Sequence, residues 1–230
     1  MTTKQGAAPR EAGDPHCLRE GEAARLLERA PWRRFVVLGD GVAEGRGDPV
    51  EGYGQGGWAG RVAAALREVR PELAYLNLAK RSLVAAQVRS QQLEAALNFT
   101  CDLAAVVCGA QDVLRRSFDP DATEVELSRV IAPLRDAGCD VLTMSQFDIT
   151  RSGLVPEEES PALRERLRVL AERTQAVSLR HGALHVDLTL HPAAADPGVH
   201  SADHRHPSAR GHAVAGAEAV RRLGARLLER

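Results

Sequence analysis

The segment S-A-D-H-R-H-P-S-A-R-G-H, residues 201–212, sets Asp203 and His206 in the spacing D-x-x-H. A carboxylate this close to an imidazole can hold its Nδ1–H and leave Nε2 free as a general base. A turn of this length lets both side chains point into one cleft. Alone the pair is a weak signal, because a buried Asp–His hydrogen bond can also be purely structural. Two other side-chain types invite chemistry. Cys108 ends an apolar run, where a free cysteine belongs to the core more often than to a reaction. His181 and His185 are separated by Gly182 and do not share a helix face; His185 reads as a satisfied residue of a strand.

The elements that must position Asp203 and His206 follow from the hydrophobic pattern. Residues 1–20 are polar and punctuated by Gly and Pro, so they are expected to be loose. A short helix is predicted over 20–30, before Pro31. An alternation then begins. Residues 34–40 form a buried strand, 41–57 a long Gly-rich loop, and 58–69 a helix. A second strand covers 73–79, and a helix over 82–97 has Leu83, Ala86 and Leu93 on or near one face. A third strand is 103–109. Leu127, Val130, Ile131 and Leu134 follow the amphipathic template. Strand four is 140–145, a helix carries Leu163 to Val177, strand five is 183–188, and the last helix covers 208–228. Short strands separated by helices mean crossover connections and a mostly parallel sheet with both faces covered. In such sheets sites form at the carboxyl ends of the strands. The Gly-rich stretch is no phosphate loop, since it lacks GxxxxGK[ST] and does not fit GxGxxG.

Composition excludes several classes. The chain has 230 residues, 44% hydrophobic, with 30 Lys and Arg against 31 Asp and Glu. A net charge of −1 argues against a nucleic-acid binder. No apolar run approaches the ~20 residues of a membrane span, and no apolar leader opens the chain. Four cysteines without a CxxC pair make neither a disulfide framework nor a metal finger. The expected setting is a reducing, cytoplasmic one. Aromatic residues are only 3% of the chain, which argues against a carbohydrate groove lined with Trp and Tyr.

Four segments, V-V-L-G-D-G-V-A-E-G after strand one, L-N-L-A-K-R-S after strand two, V-V-C-G-A-Q-D-V-L after strand three and the D-x-x-H loop, resemble in order the blocks of the SGNH (GDSL-type) hydrolases. The similarity spans residues 31–230, with 1–30 as a partly helical N-terminal extension. It implies a three-layer α/β/α fold with a flavodoxin-like five-stranded parallel sheet, and metal-free hydrolysis of acyl compounds without a cofactor. It also implies Asp203 and His206 as the catalytic pair. The family's serine nucleophile falls on Gly41, its oxyanion glycine on Ser82, and its asparagine on Gln111. Asp40, Glu44 and Asp112 adjoin these blocks. Asp40 and Asp112 are expected to order loops, and Glu44, Tyr53 and Trp58 to wall a pocket or pack beneath the loop. Lys80 and Arg81 would favour an anionic substrate or simply start a solvated helix. His200, His204, His206 and His212 with Asp203 offer metal ligands on paper. The resemblance instead puts His206 in a metal-free pair, and His204 and His212 at variable or helix-surface positions.

A glycine at position 41 has no hydroxyl to form an acyl-enzyme. Three readings follow. The first is an enzyme that uses Asp203 and His206 as general base on a small acyl-bearing molecule, by water-mediated hydrolysis, elimination, isomerisation or cyclisation, with a specialised-metabolism role suggested by composition alone. The second is a non-catalytic protein that binds an acyl ligand or a protein partner. The third is an esterase with a displaced nucleophile, Ser82 before Cys108. No nucleic acid or membrane partner is expected.

Overall fold

The computed structural model describes residues 11–229. Five strands form one all-parallel sheet: β1 (Arg34–Gly39), β2 (Ala74–Asn77), β3 (Leu103–Val107), β4 (Asp140–Met144) and β5 (Leu184–Val186), in the order β2-β1-β3-β4-β5. Strands β1, β3 and β4 are buried almost throughout, which is why they read as unbroken apolar runs. Their residues still alternate between layers. Phe35 and Val37 join the core on one face, whereas Val36 and Leu38 join the core on the other, as the two-residue strand period requires.

Helices α1 (Glu22–Leu27), α3 (Trp58–Val69) and α8 (Ala209–Leu228) pack on one another over the first face. Helices α4 (Ala85–Asn98), α6 (Pro120–Asp136) and α7 (Ser160–Arg180) cover the second. Two four-residue helices, α2 (Gly41–Glu44) and α5 (Ala110–Val113), follow β1 and β3 directly. The three-layer α/β/α arrangement expected from the sequence is therefore present. Among the described residues no helix is long and apolar enough to cross a membrane.

Four local expectations are corrected. The stretch 41–57 does not begin as loop, because Asp40 accepts the Val42 N–H and starts α2 at once. The buried stripe of α4 is Ala85, Val88, Gln92 and Ala96, with Ala86 exposed, since the crossover sets the helix phase. Cys101 and Cys139 form a disulfide, their Cα atoms 6.0 Å apart. They precede β3 and β4, neighbours whose register pairs Leu103 with Asp140, so topology rather than sequence spacing brings them together.

The fourth correction concerns the N-terminal extension. Residues 1–10 lie outside the described residues, but 11–20 are tied down. Glu11 pairs with Arg61 and accepts the Gly54 N–H. Asp14, 4% exposed, accepts the Tyr53 hydroxyl at 2.7 Å and Arg210 Nε at 2.7 Å. Burial pushes its carboxyl up, but Arg210, the His16 amide and Tyr53 outweigh that and hold it below the usual range. Arg210 also bonds Asp196, so the extension is anchored to the first turn of α8. Removing one partner of a buried pair strands the other charge. Arg210→Met is therefore expected to lower stability by about 3 kcal/mol, read as a shift of the urea midpoint; an unchanged midpoint would show the anchor to be idle.

Candidate active site

The site starts where β1 ends against β3. Gly39 has φ 153°, and a β-carbon there would run into the Val107 carbonyl, so no side chain fits. Its backbone is held from the other side by Gln92, which accepts the Gly39 N–H at 2.8 Å and donates to its carbonyl at 3.0 Å. The next residue, Asp40, is 2% exposed. One carboxylate oxygen caps α2 through Val42; the other is buried without a complete hydrogen bond. Burial pushes the Asp40 carboxyl up to about 6, against the pull of the Val42 amide, His206 and the Ala110 amide. Gly41 follows as the first residue of α2.

His206 stands over Gly41. A β-carbon on Gly41 would overlap His206 Nε2 and lie 3.1 Å from its Cδ2. On the opposite edge of the ring, Nδ1 meets Asp203 Oδ2 at 2.5 Å. Asp203 Oδ1 accepts the backbone N–H groups of Arg205 and His206 at 2.9 and 3.1 Å. Burial raises the Asp203 carboxyl, but the His206 ring and these amides outweigh it and lower it on balance. The pair is thus set with Asp203 ionised and Nε2 turned to the cleft. Among the described residues, no hydroxyl or thiol hydrogen-bonds to Nε2.

The loop that carries the pair is stapled from a distance. Ser201 N–H donates to the His206 carbonyl at 2.9 Å, and Ser201 Oγ to the Pro207 carbonyl at 3.0 Å. Asp48 contributes three bonds: its N–H to Ser201 Oγ, its carboxylate to the Ala202 N–H, and its carbonyl to the Ala209 N–H. Ser208 caps α8 through the Gly211 N–H. Asp48, Ser201 and Gln92 were not singled out from sequence. Their partners lie far along the chain, 153 residues for Asp48 and Ser201, and no local pattern marks such a bond.

Two depressions meet at His206, both lined by Val42, Ala110, Leu114, Arg205 and His206. One runs between β4, α5 and α7 and is walled by Met144, Phe147, Ile149, Leu163 and Leu167. The other is polar and holds Asp40, Gly41, Arg81, Ser82 and Gln111. The structure therefore gathers Gly41, Ser82, Gln111, Asp203 and His206 at one place. Ser82 adopts φ 66°, the left-handed region that favours glycine. Among the described residues the N–H groups of Gly41 and Ser82 have no hydrogen-bond partner.

Other candidate residues serve elsewhere. Glu44 accepts the Arg81 N–H at 3.0 Å and pairs with Arg46. Asp112 accepts the Ala85 N–H at 3.0 Å and so starts α4; burial raises its carboxyl. Tyr53 and Trp58 are buried, Trp58 donating its indole N–H to the Val42 carbonyl, so both pack beneath the loop rather than wall the cleft. Cys108 is buried and its thiol is pushed well up by that burial, which keeps it from acting as a thiolate. His185 bonds Thr143, and His200 bonds the Ala194 carbonyl. His204 is exposed. His212, expected on a helix surface, is instead 1% exposed, because the first half of α8, Gly211–Ala217, is buried all round. Its Nδ1 accepts the Trp58 N–H at 3.3 Å and its Nε2–H donates to the Arg46 carbonyl at 2.8 Å.

Residues 37–214 match the GDSL-like Lipase/Acylhydrolase family, and the chain belongs to it. No curated protein matches the sequence. Among solved structures, LAE5, an alpha/beta hydrolase enzyme from the metagenome of Lake Arreo, Spain, superposes with TM-score 0.68 at 20% identity, over 84% of this chain and 95% of its own. Axe2, an acetylxylan esterase from Geobacillus stearothermophilus, superposes with TM-score 0.65 at 19% identity, over 84% of this chain and 94% of its own. At such identities the likeness is one of fold. Catalytic mutants of Axe2 are changed at a serine, an aspartate or a histidine, the last two in D-x-x-H spacing.

The buried ring of His212 gives a pH prediction. Burial lowers its pKa to about 4, against about 6.5 in an unfolded chain. The unfolded chain binds the proton first, so this contribution is complete above pH ~6.5 and is lost as pH falls toward 4. Its size is roughly 3 kcal/mol. Asp40, raised rather than lowered, works in the opposite sense between pH ~4 and ~6. Urea titrations from pH 7 to 4.5 should show the acid-side loss of stability shrink in His212→Gln. An equal loss in both proteins would contradict the assignment.

Proposed function

We propose that this chain hydrolyses a small acyl-bearing molecule through His206 acting as general base on water, without a covalent acyl intermediate. In this reading Gly41 stands where the family carries its serine nucleophile, and Gln111 where it carries an asparagine. The observation that carries it is the position of the His206 ring. The ring is oriented by Asp203, opens on the cleft through Nε2, and occupies the volume that a β-carbon at position 41 would need. The same D-x-x-H spacing of the aspartate and histidine replaced in the catalytic mutants of Axe2 supports the role of the two residues.

The chemistry is balanced within the site. Nε2 takes a proton from a water molecule as its oxygen forms a bond to the acyl carbon. The N–H groups of Gly41 and Ser82, with the Gln111 side chain, donate to the oxyanion that develops. When the tetrahedral intermediate collapses, the bond from acyl carbon to leaving group breaks, and Nε2–H returns the proton to that group. Asp203 keeps the tautomer and stabilises the imidazolium between the two steps. The Ser82 hydroxyl is a weaker candidate for attack, since it makes no hydrogen bond to Nε2 and a nucleophile needs its base within reach.

Ester turnover should fall by about a hundredfold or more in His206→Ala. It should also fall, by about a hundredfold, in Gly41→Ala, because the added methyl forces the ring out of line. A Gly41→Ala protein as active as its parent would overturn the reading, and so would activity that survives the loss of His206.

A further inference from the structure

The two depressions at His206 differ sharply in chemistry. One is walled by aliphatic and aromatic side chains of β4, α5 and α7. The other carries Arg81, which follows β2, and Arg205 of the D-x-x-H turn, which stands where the two depressions meet and lines both. Among the described residues neither guanidinium makes a hydrogen bond or an ion pair. Four arginines of α7 and α8, in contrast, hold carboxylates: Arg168, Arg173, Arg210 and Arg221. The nearby acids do not neutralise the two. Asp203 is engaged by His206, Glu44 faces Arg46 and the Arg81 amide rather than its guanidinium, and Asp40 is buried. Arginine presents a planar fork suited to a carboxylate or phosphate.

We propose that the site selects an acyl compound with an apolar arm on one side of the reacting carbonyl and an anionic group, carboxylate or phosphate, on the other. The apolar arm lies in the depression between α5 and α7, and the anion between Arg81 and Arg205. Placing the carbonyl at His206 rests on the proposed general-base reading; the paired apolar and cationic subsites do not.

Binding tests this independently of catalysis when the probe is an amide that resists hydrolysis. The probes are N-octanoylglycine, its neutral primary amide, and the matching N-octanoyl aminomethylphosphonate, titrated into the full chain by calorimetry. The acid is expected to bind about tenfold more tightly than the primary amide. Arg81→Gln and Arg205→Gln should each reduce that preference, the double variant should abolish it, and the primary amide should bind all variants equally. Raising salt should erode the preference in the unaltered protein. The stronger of the carboxylate and phosphonate probes identifies the anion. Equal affinity for acid and primary amide, or a preference that survives the double variant, would overturn the inference. A clear preference with no turnover of the corresponding octanoyl ester would leave the inference standing and fail only the hydrolytic reading.

Discussion

The corner formed by Gly39, Asp40 and Gly41 is the constraint on which the rest of the site depends. It brings the end of β1 so close to β3 that position 39 tolerates no side chain. It buries a carboxyl at position 40 as the cap of a four-residue helix. It also leaves position 41 bare, so that the His206 ring can lie against the backbone. Each feature follows from the one before. Gln92, buried in α4, completes the corner by pairing with both polar groups of Gly39; the Gly39 carbonyl also accepts the Lys80 N–H, but the Gly39 N–H would otherwise lack a partner at a cost of about 1–3 kcal/mol.

Opposite the corner, the loop bearing Asp203 and His206 is held by bonds from across the sequence rather than by its own turn. Asp48 and Ser201 fix its path, Ser208 caps the helix that follows, and His212 ties that helix to the start of α3. Asp14 from the N-terminal extension then locks Arg210 in the same helix. The proposed general base is thus presented by a short exposed turn on a rigid frame, and Asp203 itself remains half-exposed. Precision of this kind comes from the supporting groups, because a side chain on an untethered turn would sample several rotamers.

Much of this was readable in the chain. Strands β1, β3 and β4 announce themselves as apolar runs because both of their faces are covered. Helix α3 falls on the predicted residues, since its amphipathic pattern is strong and Gly57 precedes it. The D-x-x-H turn was legible because its two members are local. The failures share one cause. Asp48 with Ser201, Gln92 with Gly39, Cys101 with Cys139, and Asp14 with Arg210 are pairs made by topology. His212 looked like a surface residue because the first half of α8, Gly211–Ala217, is buried all round, and a lone polar residue in such a run of small residues carries no periodic signal of burial.

The fold and the family give this chain the frame of an acylhydrolase. What distinguishes the proposed chemistry is that water, not a side chain, attacks the acyl carbon. Intact-mass measurement of the protein, quenched during steady turnover of an octanoyl ester, tests that claim most directly. The account predicts continuing hydrolysis, dependent on His206, with the chain at its unmodified mass throughout. An octanoyl adduct that forms and decays in step with turnover, on Ser82 or any other residue, would contradict it.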